Sequence, residues 1–63
     1  MTYRIRKIAS GLFFAGVDKG QEFSQWVSER SLMAPVEYPT VDTAADAVAQ
    51  YDLDGVEIVE VLP

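Results

Sequence analysis

At 63 residues, with a formal net charge of −5 and neither cysteine nor histidine, the chain can form no disulfide and no zinc site with the usual nitrogen and sulfur ligands. Ten acidic against five basic residues make much of the surface repel the nucleic-acid backbone. A domain this small buries only about 60% of its unfolded surface, so stability has to come from close packing or association, and a homodimer or a partner-bound life is expected.

The chain is read as a single domain over residues 1–63. No stretch approaches the roughly 20 apolar residues of a membrane span, and the first residues lack the apolar core of a secretory leader. A cytoplasmic protein without membrane contact is the expectation.

In chain order, residues 3–8 read as a first strand, with Tyr3 and Ile5 on one face and Arg4 and Arg6 on the other. Ala9, Ser10 and Gly11 make a turn in which Gly11 supplies the positive φ. Residues 12–16 (Leu-Phe-Phe-Ala-Gly) return as the second strand of a hairpin, residues 17–21 are a polar loop, and residues 23–27 form a third strand around Trp26. Residues 28–31 are a polar connection. Pro35 keeps the apolar residues 32–35 out of a helix interior, and residues 36–38 are a short extended piece.

The stretch from Thr40 organises the rest. Val41, Ala44, Ala45, Val48 and Tyr51 recur at three- and four-residue spacing, which gathers them on one side of a helix. Thr40 is placed to cap it, and Asp42 meets the positive end of the helix dipole. The helix is expected to stop near residues 52–55, because Gly55 suits a left-handed or turn conformation. Residues 56–61 (Val-Glu-Ile-Val-Glu-Val) are a strand by propensity. Ile58 and Val59 are adjacent, so either a bulge intervenes or the strand is covered on both sides at its middle. The expected fold is α+β: a small antiparallel sheet of three to four strands in β-β-β-α-β order, with one helix packed on one face. Its core would comprise Ile5, Leu12, Phe14, Trp26, Val41, Ala44, Val48, Leu53, Val56 and Ile58. The other face has no second helix and must be polar or meet another molecule.

Charge is unevenly laid out. Arg4, Arg6, Lys7, Lys19 and Arg30 all precede Ser31, after which Glu37, Asp42, Asp46, Asp52, Asp54, Glu57 and Glu60 follow without a base. Asp42, Asp46, Asp52, Asp54 and Glu57 are therefore the candidate acidic contact surface for a basic, nucleic-acid-binding protein partner. Against this stands a plainer reading, a solvated helix face with Glu57 or Glu60 paired across strands to Arg4 or Arg6. Phe23, Trp26, Met33 and Tyr38 crowd the least regular third of the chain. Aromatics and methionine are enriched in interface cores, so Trp26 and Tyr38 are the candidate partner anchors, at least one of them exposed.

Other constellations fail on their own chemistry. Asp52-x-Asp54-Gly55 matches part of a calcium loop, but the register puts Val61 where a bidentate carboxylate is required. Arg4, Arg6 and Lys7 beside Tyr3, Phe13 and Phe14 could form a base-stacking sheet, yet three bases against −5 overall make a poor footprint. Without histidine or cysteine, and with Lys7 and Lys19 in polar contexts, no nucleophile or general base stands out. No catalytic residue, metal ligand or cofactor is assigned, and a non-enzyme is expected.

Tyr3-Arg4-Ile5, then Leu12-Phe13-Phe14-Ala15-Gly16, then the Thr40-capped helix through Tyr51, then residues 55–61 make a layout that resembles small acidic phage and mobile-element proteins of the anti-CRISPR kind. The resemblance covers nearly the whole chain, is structural, and transfers no site residue. It implies a phage-encoded inhibitor acting in the cytoplasm of a bacterial host, binding a CRISPR effector complex without catalysis and without direct nucleic-acid contact. The competing expectation is a phage or mobile-element assembly subunit that self-associates through its open sheet face.

Overall fold

The alternation of Tyr3, Ile5 and Lys7 with Arg4 and Arg6 is realised as the first strand of a four-stranded antiparallel sheet. The computed structural model describes residues 1–17 and 23–62, which form β1 (Thr2–Lys7), β2 (Phe13–Val17), β3 (Ser24–Val27), α1 (Val41–Gln50) and β4 (Val56–Val61). Strand order is β3-β2-β1-β4, so the chain's last strand lies beside its first. The α+β fold read from the sequence is the fold observed. The loop expected over residues 17–21 lies, apart from Val17 in β2, outside the described residues.

The β1–β4 ladder runs unbroken from Thr2 opposite Val61 to Lys7 opposite Val56. Paired residues share a face, so Ile5 and Ile58 lie together, and Arg4 and Val59 lie together behind them. No bulge reconciles the adjacent Ile58 and Val59. Each is half-buried on its own face. β1 and β2, in contrast, pair only at Arg6 opposite Phe13. Beyond that point they diverge, and the extended segment around Tyr38 enters the fork. Tyr3 and Tyr38 exchange N–H···O bonds at 2.8 Å in both directions, and the Val36 N–H donates to the Phe14 carbonyl at 3.0 Å. The β2–β3 pairing shifts register between Phe14 and Val17, where Gly16 has φ 107°. A side chain there would be strained, which is why glycine carries the bulge.

α1 packs on β1 and β4. Its N-terminus is closed by a capping box: the Thr43 N–H donates to Thr40 Oγ1 at 3.1 Å, and the Thr40 N–H donates back to Thr43 Oγ1 at 3.2 Å. The buried face is centred on Ala44 and Ala47, with Val48 beside them. Val41 and Ala45, expected on that face, are exposed. Val41 is the first helical residue, at the margin of the stripe, while Ala47 stands one turn after Ala44 and takes the inward position. The fully buried core consists of Ile5 and Phe14 with the two alanines, around which Tyr3, Trp26, Tyr38, Leu53, Val56 and Ile58 are partly buried.

The helix stops where expected, but not on its glycine. Gly55 is left-handed (φ 64°), but the residue that ends the helix is Asp52, at φ 52°. The Leu53 N–H donates to the Val48 carbonyl at 3.0 Å and the Asp52 N–H to the Ala49 carbonyl at 3.3 Å, the two bonds of a Schellman motif. Val48 and Leu53 both pack on the core, supplying its hydrophobic contact. A non-glycine left-handed residue costs about 1–2 kcal/mol, part of which glycine would return as unfolded-state entropy. Asp52→Gly is therefore expected to stabilise the chain by about 0.5–1 kcal/mol in urea titration. An unchanged midpoint would mean the Asp52 side chain compensates its own strain.

Candidate functional site: the open face of the sheet

With α1 on the side of Ile5 and Ile58, strand alternation sends Thr2, Arg4, Arg6, Phe13, Val27, Glu57, Val59 and Val61 to the opposite face. No described element covers this face. Phe13, Val27, Val59 and Val61 are half-buried there by their neighbours alone. Arg4 is its electrostatic centre. The guanidinium donates to Glu37 Oε2 from Nη2 at 2.6 Å and from Nε at 3.2 Å, and its carbon lies 5.5 Å from the Phe13 ring centroid. Thr2 Oγ1 donates to the other Glu37 oxygen at 3.0 Å. Glu37 reaches this position because its backbone is the piece held between β1 and β2. A second pair, Arg6 with Glu57, joins β1 to β4 on the same face, with Arg6 Nε donating at 2.7 Å. Beside Arg4 runs a cleft of about 300 Å³, lined by Phe13, Val59, Val61 and Leu62 and bordered by Glu29 and Glu60.

The hydrogen bonds from Arg4 and then Thr2 hold the Glu37 carboxyl below the usual glutamate range. A carboxylate with a lowered folded-state pKa stabilises the fold above its unfolded pKa. That contribution is lost as the pH falls through the folded value. Glu37→Gln is accordingly expected to lower stability slightly in the neutral region and to converge with the wild type at low pH, so that its acid limb is shallower. Parallel acid limbs in thermal melts of the two proteins would show that Glu37 is not the titrating group.

The residues expected to form a site are dispersed by the fold. Asp42 and Asp46 share the outer side of α1. Asp52 and Asp54 are exposed in the turn that follows, where Asp54 Oδ1 accepts the Gly55 N–H at 2.9 Å. Glu57 stands on the opposite face of the sheet, paired with Arg6, as the cross-strand alternative required. Trp26 and Tyr38, of which at least one was expected to be exposed, are both half-buried on the helix side. Trp26 meets Phe14 edge-on with centroids 5.5 Å apart, donates from Nε1 to Ser24 Oγ at 3.1 Å, and lies 5.1 Å from Lys7 Nζ. Tyr38 is drawn inward by its backbone bonds to Tyr3. Burial pushes its phenol pKa up, and the nearby Tyr51 phenol adds to that. A small core has to recruit its aromatics, and these two serve it.

Among the described residues, no three Asp or Glu side chains gather closely enough to hold a metal ion, and no helix is long and apolar enough to cross a membrane. Set against known protein families, curated proteins and solved structures, the chain matches none. Its own surface is therefore the guide to function. Arg4 and Phe13 were weighed in the sequence only as part of a base-stacking sheet or a cross-strand ion pair, and Glu37, Val59 and Val61 were not singled out as contacts. The one signal for them was the apolar pair Ile58–Val59, which placed a valine on the face away from the helix.

Proposed function

We propose that this chain is a non-enzymatic protein-binding module that modulates a larger machine by docking the open face of its sheet on a partner protein. One observation carries the reading: the face opposite α1 presents Phe13, Val27, Val59 and Val61 around an arginine already fixed by Glu37, with no layer over them among the described residues. An apolar centre with a preorganised arginine and a paired polar rim is what protein interfaces use. The test is capture of partners from bacterial lysate on the tagged chain, after nuclease treatment, in parallel with Phe13→Ala. Loss of an anchoring aromatic is expected to weaken retention of the captured protein about tenfold or more. Equal retention by both would remove the open face from consideration.

A second reading follows from a separate observation. Asp42, Asp46, Asp52 and Asp54 are exposed and enter neither described ion pair, which favours an inhibitor of a basic nucleoprotein machine, a CRISPR effector complex in the sharpest version, held through the helix side. Changing all four to asparagine would then weaken capture and remove its salt dependence. The open-face reading predicts that this variant retains its partner.

A further inference from the structure

We propose that β4 pairs antiparallel with β4 of a second copy of this chain, about a two-fold axis through Ile58, to make a continuous eight-stranded sheet. This surface is separate from the open face, and the inference stands without the function proposed above.

The free edge can be read from the ladder. On the β4 side of β1, the Ile8 N–H donates to the Gly55 carbonyl at 3.0 Å. Tyr3 and Lys7 instead direct their N–H groups to the other side, to the Tyr38 and Leu12 carbonyls at 2.8 Å. Hydrogen-bonded and non-hydrogen-bonded pairs alternate in an antiparallel ladder. Glu57, Val59 and Val61 therefore turn their backbone groups towards β1, and Val56, Ile58 and Glu60 project theirs from the edge. The two edges of the sheet are unequal. β3 has four residues and a register shift in its only pairing, both of which discourage further pairing. β4 has six residues in regular register with no lysine, no proline and no bulge.

The sequence of β4 is complementary to itself in one register. An axis through Glu57 or Glu60 sets a glutamate opposite its own copy, which is unfavourable. An axis through Ile58 sets Glu57 opposite Val59 of the second copy, Glu60 opposite Val56, and Ile58 opposite Ile58. It also brings all the projecting N–H and C=O groups of both strands into bonding pairs. An axis through Val59 avoids like charges too, but leaves the Val56 groups without a strand partner. In the Ile58 register the two Glu57 carboxylates are diagonal neighbours at roughly 7–8 Å, and each is already neutralised by its own Arg6. Helix α1 packs on β1 and β4. An axis over the seam between them would stand about 10 Å from its copy, since strands are about 4.8 Å apart. That is a packing distance for helices rather than a clash.

The symmetry also joins the two open faces. Four strands of four to six residues cover roughly 350 Å² in projection, below the ~800 Å² per partner of a standard interface. The paired sheet doubles the span.

Sedimentation equilibrium of the full chain, with Glu60→Pro in parallel, tests the dimer. The Glu60 N–H points away from β1 and its side chain is exposed, so proline blocks the edge without breaking the ladder. A wild-type dimer and a monomeric Glu60→Pro with unchanged far-UV circular dichroism are expected, and added salt should tighten the dimer by screening its net charge. A wild-type monomer up to millimolar concentration, or a dimer that survives Glu60→Pro, overturns the proposal. The register is tested separately, because the chain has no cysteine of its own. On oxidation, Glu57→Cys mixed with Val59→Cys should give a covalent dimer that neither gives alone. No cross-link in the mixture, or equal cross-linking of either variant by itself, overturns the Ile58 axis. Neither failure affects the Phe13→Ala capture experiment, which probes the other surface.

Discussion

Replacing Phe14 with alanine is expected to destabilise the chain by about 3–5 kcal/mol. Phe14 has no exposed surface and is, with Ile5, one of the two largest fully buried side chains. Trp26 and Tyr51 both pack their rings against it with centroids at 5.5 Å, so the phenyl joins β3, β2 and the end of α1. Truncating a buried phenylalanine costs about 3–5 kcal/mol. At 0.05–0.15 kcal/mol per residue, a chain of this length holds about 3–9 kcal/mol in total. The loss therefore takes from about a third of the stability to all of it. Leu32→Ala, at a fully exposed leucine, is the matched control and should stay within about 0.5 kcal/mol of wild type. Urea titration followed by circular dichroism reads both. A cooperative Phe14→Ala transition displaced by less than about 1 kcal/mol would place the core elsewhere.

The elements of this fold were legible where one local signal sufficed. Thr40 has a capping hydroxyl, Gly11 takes the positive φ (74°) of its turn, and residues 56–61 have strand propensity whatever their surroundings. What could not be read depends on the partner element. Whether Ala45 or Ala47 faces the sheet is a rotation of α1 that alanines, small on every side, do not specify. Asp52 rather than Gly55 ends the helix because the chain must bring Leu53 back onto Val48, a tertiary demand that overrides the glycine signal. The placement of residues 36–38 between β1 and β2 is a long-range pairing with no local mark. The candidate site was divided for the same reason. Asp42, Asp46, Asp52, Asp54 and Glu57 are close in sequence, but the first four flank the helix while strand alternation carries Glu57 through to the other face. That one face would stay open was expected, but which residues it presents followed only once the side bearing α1 was known.

Enlarging Ala44 tests that helix rotation directly, with the second large effect expected here. Ala44 has no exposed surface, and Ala47 is 5% exposed, whereas Ala45 is exposed. Two small residues on the inward side let α1 approach close enough for Tyr51 to reach Phe14 and for Val48 to reach the core. Leucine at position 44 adds three carbons where no space is left. Overpacking of this kind costs about 1–3 kcal/mol, and more when the backbone cannot yield. Here the backbone is held at both ends, by the Thr40–Thr43 capping box and by the Leu53–Val48 bond, so the upper part of that range is expected. Leucine is nearly as good a helix former as alanine, so Ala45→Leu isolates packing from propensity and should change stability by no more than about 0.5 kcal/mol. Urea titrations of the two variants then read the helix rotation as a difference. A large loss at position 44 with none at 45 fits the Ala44–Ala47 face. The reverse pattern would turn α1 by about 100°, burying Ala45 and moving Asp42 and Asp46 from the outer side towards the edge of the sheet.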